Sequence, residues 1–246
     1  MESKLEHLEE LVKSEFFQAA YEYVSSEGLD RITTHNVSLR VYFCLYKIMS
    51  HVQSPYHNPN KAVVALKKNI ERGCTKSISE LGRCKLFGLG EDKDVAEAED
   101  LFRRSAKEIQ SLFYIAEIHS KGMLDVGGEA FYDYEEAKPH YLAVYKSDSD
   151  EKFASGLSYV SIVSSEDSPS KEDRIEMFFI LSDLIEQGYE SAYLFMVKKT
   201  FSDFISATKR LAENSRTGKF KNNLVMDKML KDIQVSNRKW LAFLNT

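Results

Sequence analysis

Apolar positions recur along this chain at helical spacing, in short blocks separated by polar, glycine-marked corners. Leu5, Leu8, Leu11 and Val12 share one face over residues 3–13, and Phe16, Phe17, Ala20, Tyr21 and Val24 follow over 15–25. Ser14 is placed to cap this second block, with Glu15 favouring its first turn. From Asn36 the blocks fall into pairs. Residues 37–51 carry Val41, Tyr42, Cys44, Leu45, Ile48 and Met49. After the loop holding Pro55 and Pro59, a second helix runs through Leu66 and Ile70 to Gly73.

The stretch from Ser79 to Glu108 is the best-formed pair. Leu81, Cys84 and Leu86 or Phe87 precede Gly88-Leu89-Gly90, and Val95, Ala98, Leu101, Phe102, Ser105 and Ala106 follow it. A third pair covers 112–122 and 133–146 across a glycine-containing loop, LDVGGEAFY. A fourth joins 153–163 to 174–188. Ala98 stands 36 positions beyond Ala62, Ala137 stands 39 beyond Ala98, and Ile175 stands 38 beyond Ala137. Each pair presents more apolar surface than its two helices can cover mutually, so neighbours must stack. Loops of variable length between helices in register belong to such a stack.

The residues at the corners carry a resemblance. Leu81-Gly82, Phe87-Gly88 and Gly90 look like the Leu-Gly…Tyr-x-x-Gly-x-Gly first helix and corner of the Sel-one-like repeat family, relatives of the tetratricopeptide solenoids. Asp94, Ala98, Phe102 and Ala106 look like its second helix. Asp133-Tyr134-Glu135-Glu136-Ala137 with Tyr141 repeats that pattern, and Pro59-Asn60-Lys61-Ala62 does so more loosely. Gly82, Ala62, Ala98, Ala106 and Ala137 would let facing helices approach closely. Gly88 and Gly90 would supply backbone angles that a Cβ forbids. Phe87, Phe102 and Tyr141 would fill the space between layers.

The fourth pair departs from the pattern, with Ile175 at the small position and no glycine corner. With three cysteines, the chain also cannot form the one disulfide per repeat that some family members carry. The resemblance implies an all-α superhelical solenoid of about four helix-loop-helix repeats. It also implies an adaptor role without catalytic residues or cofactors. The expected organisation is an N-terminal helical cap over 1–35, repeats over 36–188, and a basic C-terminal helical cap over 189–246.

Charge alters this picture at one end. Residues 1–189 carry 22 Lys and Arg against 33 Asp and Glu, a balance of −11, whereas 190–246 carry 11 against 5, a balance of +6. The basic set includes Lys198, Lys199, Lys209, Arg210, Arg216, Lys219, Lys221, Arg238 and Lys239, with Trp240 available for stacking. Two partners suit it: an acidic protein surface, or RNA met through phosphate contacts.

Other chemistry finds little to stand on. Cys44, Cys74 and Cys84 have no paired spacing, which fits a reducing compartment. No metalloprotease or Cys-x-x-Cys spelling occurs, and His51 and His57 merely flank a proline loop. Gly88-Leu89-Gly90 and Gly127-Gly128 lack the strand before and the Lys-Ser/Thr after that a phosphate loop requires. The first residues have no apolar signal core, and no run is long enough to span a bilayer. The sequence-level expectation is a non-enzymatic, cytoplasmic or nuclear protein that binds other proteins on the concave face of its solenoid. Binding of RNA through the C-terminal segment is the alternative.

Overall fold

The computed structural model describes residues 1–32 and 34–189. Among the described residues ten helices run in order: α1 Glu2–Lys13, α2 Phe17–Ser26, α3 His35–Ser50, α4 Pro59–Ile70, α5 Thr75–Phe87, α6 Val95–Arg104, α7 Ile109–Ser120, α8 Tyr134–Tyr145, α9 Lys152–Ser165 and α10 Lys171–Glu186. A 3-10 turn, Leu29–Arg31, lies between α2 and α3. The C-terminal cations and Trp240 named above lie outside the described residues.

The repeat is written most clearly in its caps. Each second helix opens on a short polar side chain whose oxygen accepts the backbone N–H three residues on, satisfying a donor that the helix start leaves free. Asn58 accepts from Lys61 at 3.0 Å, Asp94 from Glu97 at 2.9 Å, Asp133 from Glu136 at 3.0 Å and Ser170 from Asp173 at 2.9 Å. Four residues past the first three caps stand Ala62, Ala98 and Ala137, all buried. Four past Ser170 stands Arg174, which is exposed. Ile175 is exposed too, at 45%, so the fourth unit has no small packing residue at this position. Ile175 therefore stands one residue past the repeat position that Ala62, Ala98 and Ala137 hold.

Contacts are mainly between neighbours: α3 packs on α4, α4 on α5, α5 on α6, and so on to α8 on α9. Stacking of this kind builds the core layer by layer. Leu5, Leu8, Phe17, Val24 and Ile48 form one cluster. Tyr46, Ala62, Leu66, Leu81 and Leu101 form the next. Leu86, Ala98, Phe102, Ile115 and Ile118 form a third. Helix α5 also touches α7, its counterpart in the following unit, and α1 touches α3. The first helices of successive units therefore share one side of the stack.

The chain divides into two compact units, 1–177 and 178–246, with the boundary inside α10. Within the first, Tyr159 donates to Asp173 at 2.7 Å, fastening α9 to the opening of α10. Lys138, itself buried, reaches Glu135, Glu166 and Asp173. Within the second, the described residues contribute the buried Ile180, Leu181 and Leu184.

Three glycine-marked places differ in kind. Gly88 (φ +70°) closes α5, and the Leu89 N–H donates back to the Cys84 carbonyl at 2.8 Å. Gly90 (φ +74°) lies so close to the start of α4 that a Cβ there would sit 2.4 Å from the Pro59 carbonyl group. Gly82 faces Phe102, whose ring would be 2.8 Å from an added Cβ.

Several local expectations are corrected. Ser14 ends α1 rather than capping α2, and Glu15 takes a positive φ of 60° in the turn between them. Ala106 is exposed, because α6 stops at Arg104 and the chain turns away. The adjacent Ser105 is the buried residue, and its hydroxyl joins those of Ser111 and Ser79 in a chain of 2.8 Å bonds across α5 and α7. Phe87 is 51% exposed and Leu86 takes the inward place. The LDVGGEAFY segment forms a two-stranded antiparallel hairpin, β1 Leu124–Val126 and β2 Glu129–Phe131. Gly127 and Gly128, both with positive φ, turn it as paired glycines do in two-residue hairpins.

Candidate partner-binding surface

On the side lined by first helices, α3 and α5 also meet through a buried cluster of polar and charged groups. Tyr46 and Lys47 leave α3 as neighbours, and Glu80 and Arg83 lie three residues apart on one face of α5. The Glu80 carboxylate is only 3% exposed. It accepts from the Tyr46 hydroxyl at 2.7 Å, Lys47 Nζ at 2.8 Å and Arg83 Nε at 3.0 Å. Arg83 Nη2 also donates to the Tyr46 oxygen at 2.6 Å.

Burial alone would raise the Glu80 pKa. The charges of Lys47 and Arg83 and the donated hydrogen bonds outweigh burial and hold it below its ordinary value of 4.5. Burial, with the Glu80 charge second, pushes the Tyr46 phenol well above its usual range. A carboxyl depressed on folding stabilises the fold above its unfolded pKa, and that contribution is lost as pH falls through the folded value. Thermal melting from pH 7 down to pH 3 should therefore show a steeper loss for the native chain than for Glu80→Gln. The two curves should converge in acid. Parallel curves would show that Glu80 is not ionised in the fold.

Beside this cluster, α1, α3 and α5 enclose a groove of about 680 Å³. Its apolar floor includes Val12, Leu39, Phe43 and Cys44, and Lys13, Lys47 and Lys76 stand around it. An adjoining hollow of about 540 Å³ shares Val12, Lys13 and Lys47 and extends the surface to Arg83 and His51. Lys76 Nζ lies 4.8 Å from the centroid of the Phe43 ring, and Lys47 Nζ lies 5.5 Å from it on the same residue. Arg40, at the margin, is already engaged by Glu2 and Glu9.

A second polar seam joins α6, α7 and α8. Arg103 contacts Glu99 and Glu136, and His119 Nε2 lies 3.0 Å from Glu99. These pairs tie helices together at the repeat boundary. Of the histidines flanking the proline loop, His57 Nδ1 approaches the His51 backbone oxygen at 3.1 Å, while the His51 ring packs on Phe17. Among the described residues no group of three or more His, Cys, Asp or Glu side chains is arranged to hold a metal ion. Burial drives the Cys44 thiol up to about 12 and the Cys84 thiol to about 11, which suits packing rather than reactivity. Among the described residues no helix is long and apolar enough to cross a membrane.

The sequence-level site residues divide accordingly. Gly82, Gly88, Gly90, Ala62, Ala98 and Ala137 sit at helix contacts and corners, away from the groove. The groove's own Lys13, Phe43, Lys47, Lys76 and Arg83 were not singled out as site residues. Their signal was present locally, since Phe43 and Lys47, like Lys76 and Arg83, fall on one helical face.

No family model matches the chain, and no curated protein matches it. Solved structures do. A protective antigen present in uropathogenic Escherichia coli strains, displaying an SLR fold, superposes with a TM-score of 0.50 at 16% identity. The match covers 75% of this chain and 36% of the antigen, so the chain spans about a third of that structure's length. A Sel1 repeat protein from Oxalobacter formigenes aligns with a TM-score of 0.44 at 16% identity, over 76% of this chain and 86% of the other. The helix pairs, the periodic caps and the likeness to the antigen together identify the fold as an α/α solenoid of the Sel-one-like repeat type.

Proposed function

We propose that the chain is a non-enzymatic scaffold that binds another protein along the first-helix side of its solenoid. It would act as an adaptor in the assembly or regulation of a larger complex. The observation that carries this reading is the groove bounded by α1, α3 and α5, where apolar floor and exposed cations lie together on a stacked-helix frame. Solenoids present extended surfaces of this sort to peptides and partner helices. In this reading the repeats over 36–188 form the frame, between helical caps over 1–35 and 189–246.

Affinity capture with the intact chain at physiological salt, read by mass spectrometry, tests it. A protein partner recovered in stoichiometric amount is the expected result, and recovery of none would overturn the reading. A second reading rests on the +6 balance of residues 190–246, which suits RNA. Capture that returns RNA, and fails after deletion of residues 215–246, would favour it over the scaffold.

A further inference from the structure

The groove is electrostatically unlike residues 1–189 taken together. Residues 1–189 carry a balance of −11, yet the groove collects cations that the fold leaves unneutralised. Arg40 faces two carboxylates, Glu2 and Glu9, so that group carries one negative charge in excess. Lys47 and Arg83 together face the single carboxylate of Glu80, so one positive charge of that pair remains. Lys13 and Lys76 are exposed and hold no ion-pair partner among the described residues. Lys76 makes its close contact with the Phe43 ring and faces Glu9 without pairing to it. Among the groups named, five cations against three carboxylates leave two surplus positive charges around an apolar floor.

Building on the scaffold reading, we propose that this groove binds an acidic segment of a partner protein, with an apolar side chain seated on Phe43 and Val12 and flanking carboxylates on Lys13, Lys47 and Lys76. The buried Glu80 gives Lys47 and Arg83 a fixed position before any ligand arrives, so less ordering is required on binding. Lys13, Lys47 and Lys76 stand at separate places around the apolar floor. Charge complementarity therefore sets its register. A nucleic acid would bring similar negative charge, but its phosphate backbone offers no apolar side chain for the floor of Val12 and Phe43.

The test uses the full chain and a fluorescent twelve-residue peptide of alternating Glu and Asp with two Leu at its centre. Anisotropy should show saturable binding that weakens with salt. Lys13→Glu/Lys76→Glu should weaken it about tenfold. Both lysines are exposed, so the variant's thermal melt should match the parent's. Replacing the two Leu by Ser should also weaken binding, and a Lys-for-acid peptide should not bind. Lys219→Glu/Lys221→Glu controls for the basic C-terminal segment and should leave binding unchanged.

The proposal is overturned by any of three results: no binding, binding abolished by the C-terminal pair but not by the groove pair, or a uridine oligonucleotide binding at the groove in place of the peptide. Recovery of a protein partner that binds Lys13→Glu/Lys76→Glu as well as the parent would sink this inference while leaving the scaffold reading intact.

Discussion

Phe102→Ala is expected to destabilise the chain by about 3–5 kcal/mol, the usual cost of truncating a fully buried aromatic. Phe102 has no exposed surface, and its ring stacks on Tyr114 with centroids 5.0 Å apart. It joins α6 to both α5 and α7, so the loss spans a repeat boundary as well as a single hairpin. The residue it packs against is the backbone at Gly82. There an added methyl would lie 2.8 Å from the ring, and Gly82→Ala should cost about 1–3 kcal/mol by overpacking. The two sites touch, so their effects should not add. Gly82→Ala combined with Phe102→Ala should lose less than the sum of the single changes. Urea unfolding of the four proteins measures this coupling, and simple additivity would deny the contact.

Gly90→Ala should be the most damaging of the corner substitutions, at about 3 kcal/mol or more from left-handed strain plus a steric clash. An added Cβ would meet the Pro59 carbonyl carbon and oxygen at 2.4 Å and the Asn60 nitrogen at 2.9 Å. These are backbone atoms at the capped start of α4, so no rotamer change relieves them. Gly127→Ala supplies the comparison. Its φ of +69° is similar, but nothing lies within 4 Å of the new Cβ, and its cost should be about 1 kcal/mol. Thermal denaturation of both variants separates close approach from conformational strain. Equal losses would show that the corner does not press on the preceding unit.

The repeat frame was legible because its rules are local. Small residues at Ala62, Ala98 and Ala137 recur at nearly constant spacing, and the caps at Asn58, Asp94 and Asp133 fix where each second helix begins. Errors arose where one residue of phase decides a burial. Leu86 and Phe87 are both apolar, and only the rotation of α5 at its last turn sends one inward. Ala106 continued a helical pattern past the point where the helix ends, and the buried hydrogen-bonded role went to Ser105. In the fourth unit the cap is a serine, and without its geometry Ile175 was the nearest apolar match for a position that Arg174 occupies.

The groove was hidden for a different reason. Lys13, Lys47 and Lys76 come from three helices, about 30 residues apart in the chain. A count along the sequence averages them into a negative region. Only the stack, with Glu80 buried beneath Lys47 and Arg83 and with Arg40 already occupied, shows which positive charges remain.

The most direct measurement is the capture experiment carried out with a photo-crosslinking residue at a single site of the intact chain. Placed at Lys76, beside Phe43 at the groove, it should join covalently to the captured protein. Placed at Val64, which is 52% exposed on the second helix α4, it should not. Crosslinking at residue 76 alone is the predicted result. Crosslinking at residue 64 with none at residue 76 would contradict the account, because the partner would then occupy the opposite side of the stack.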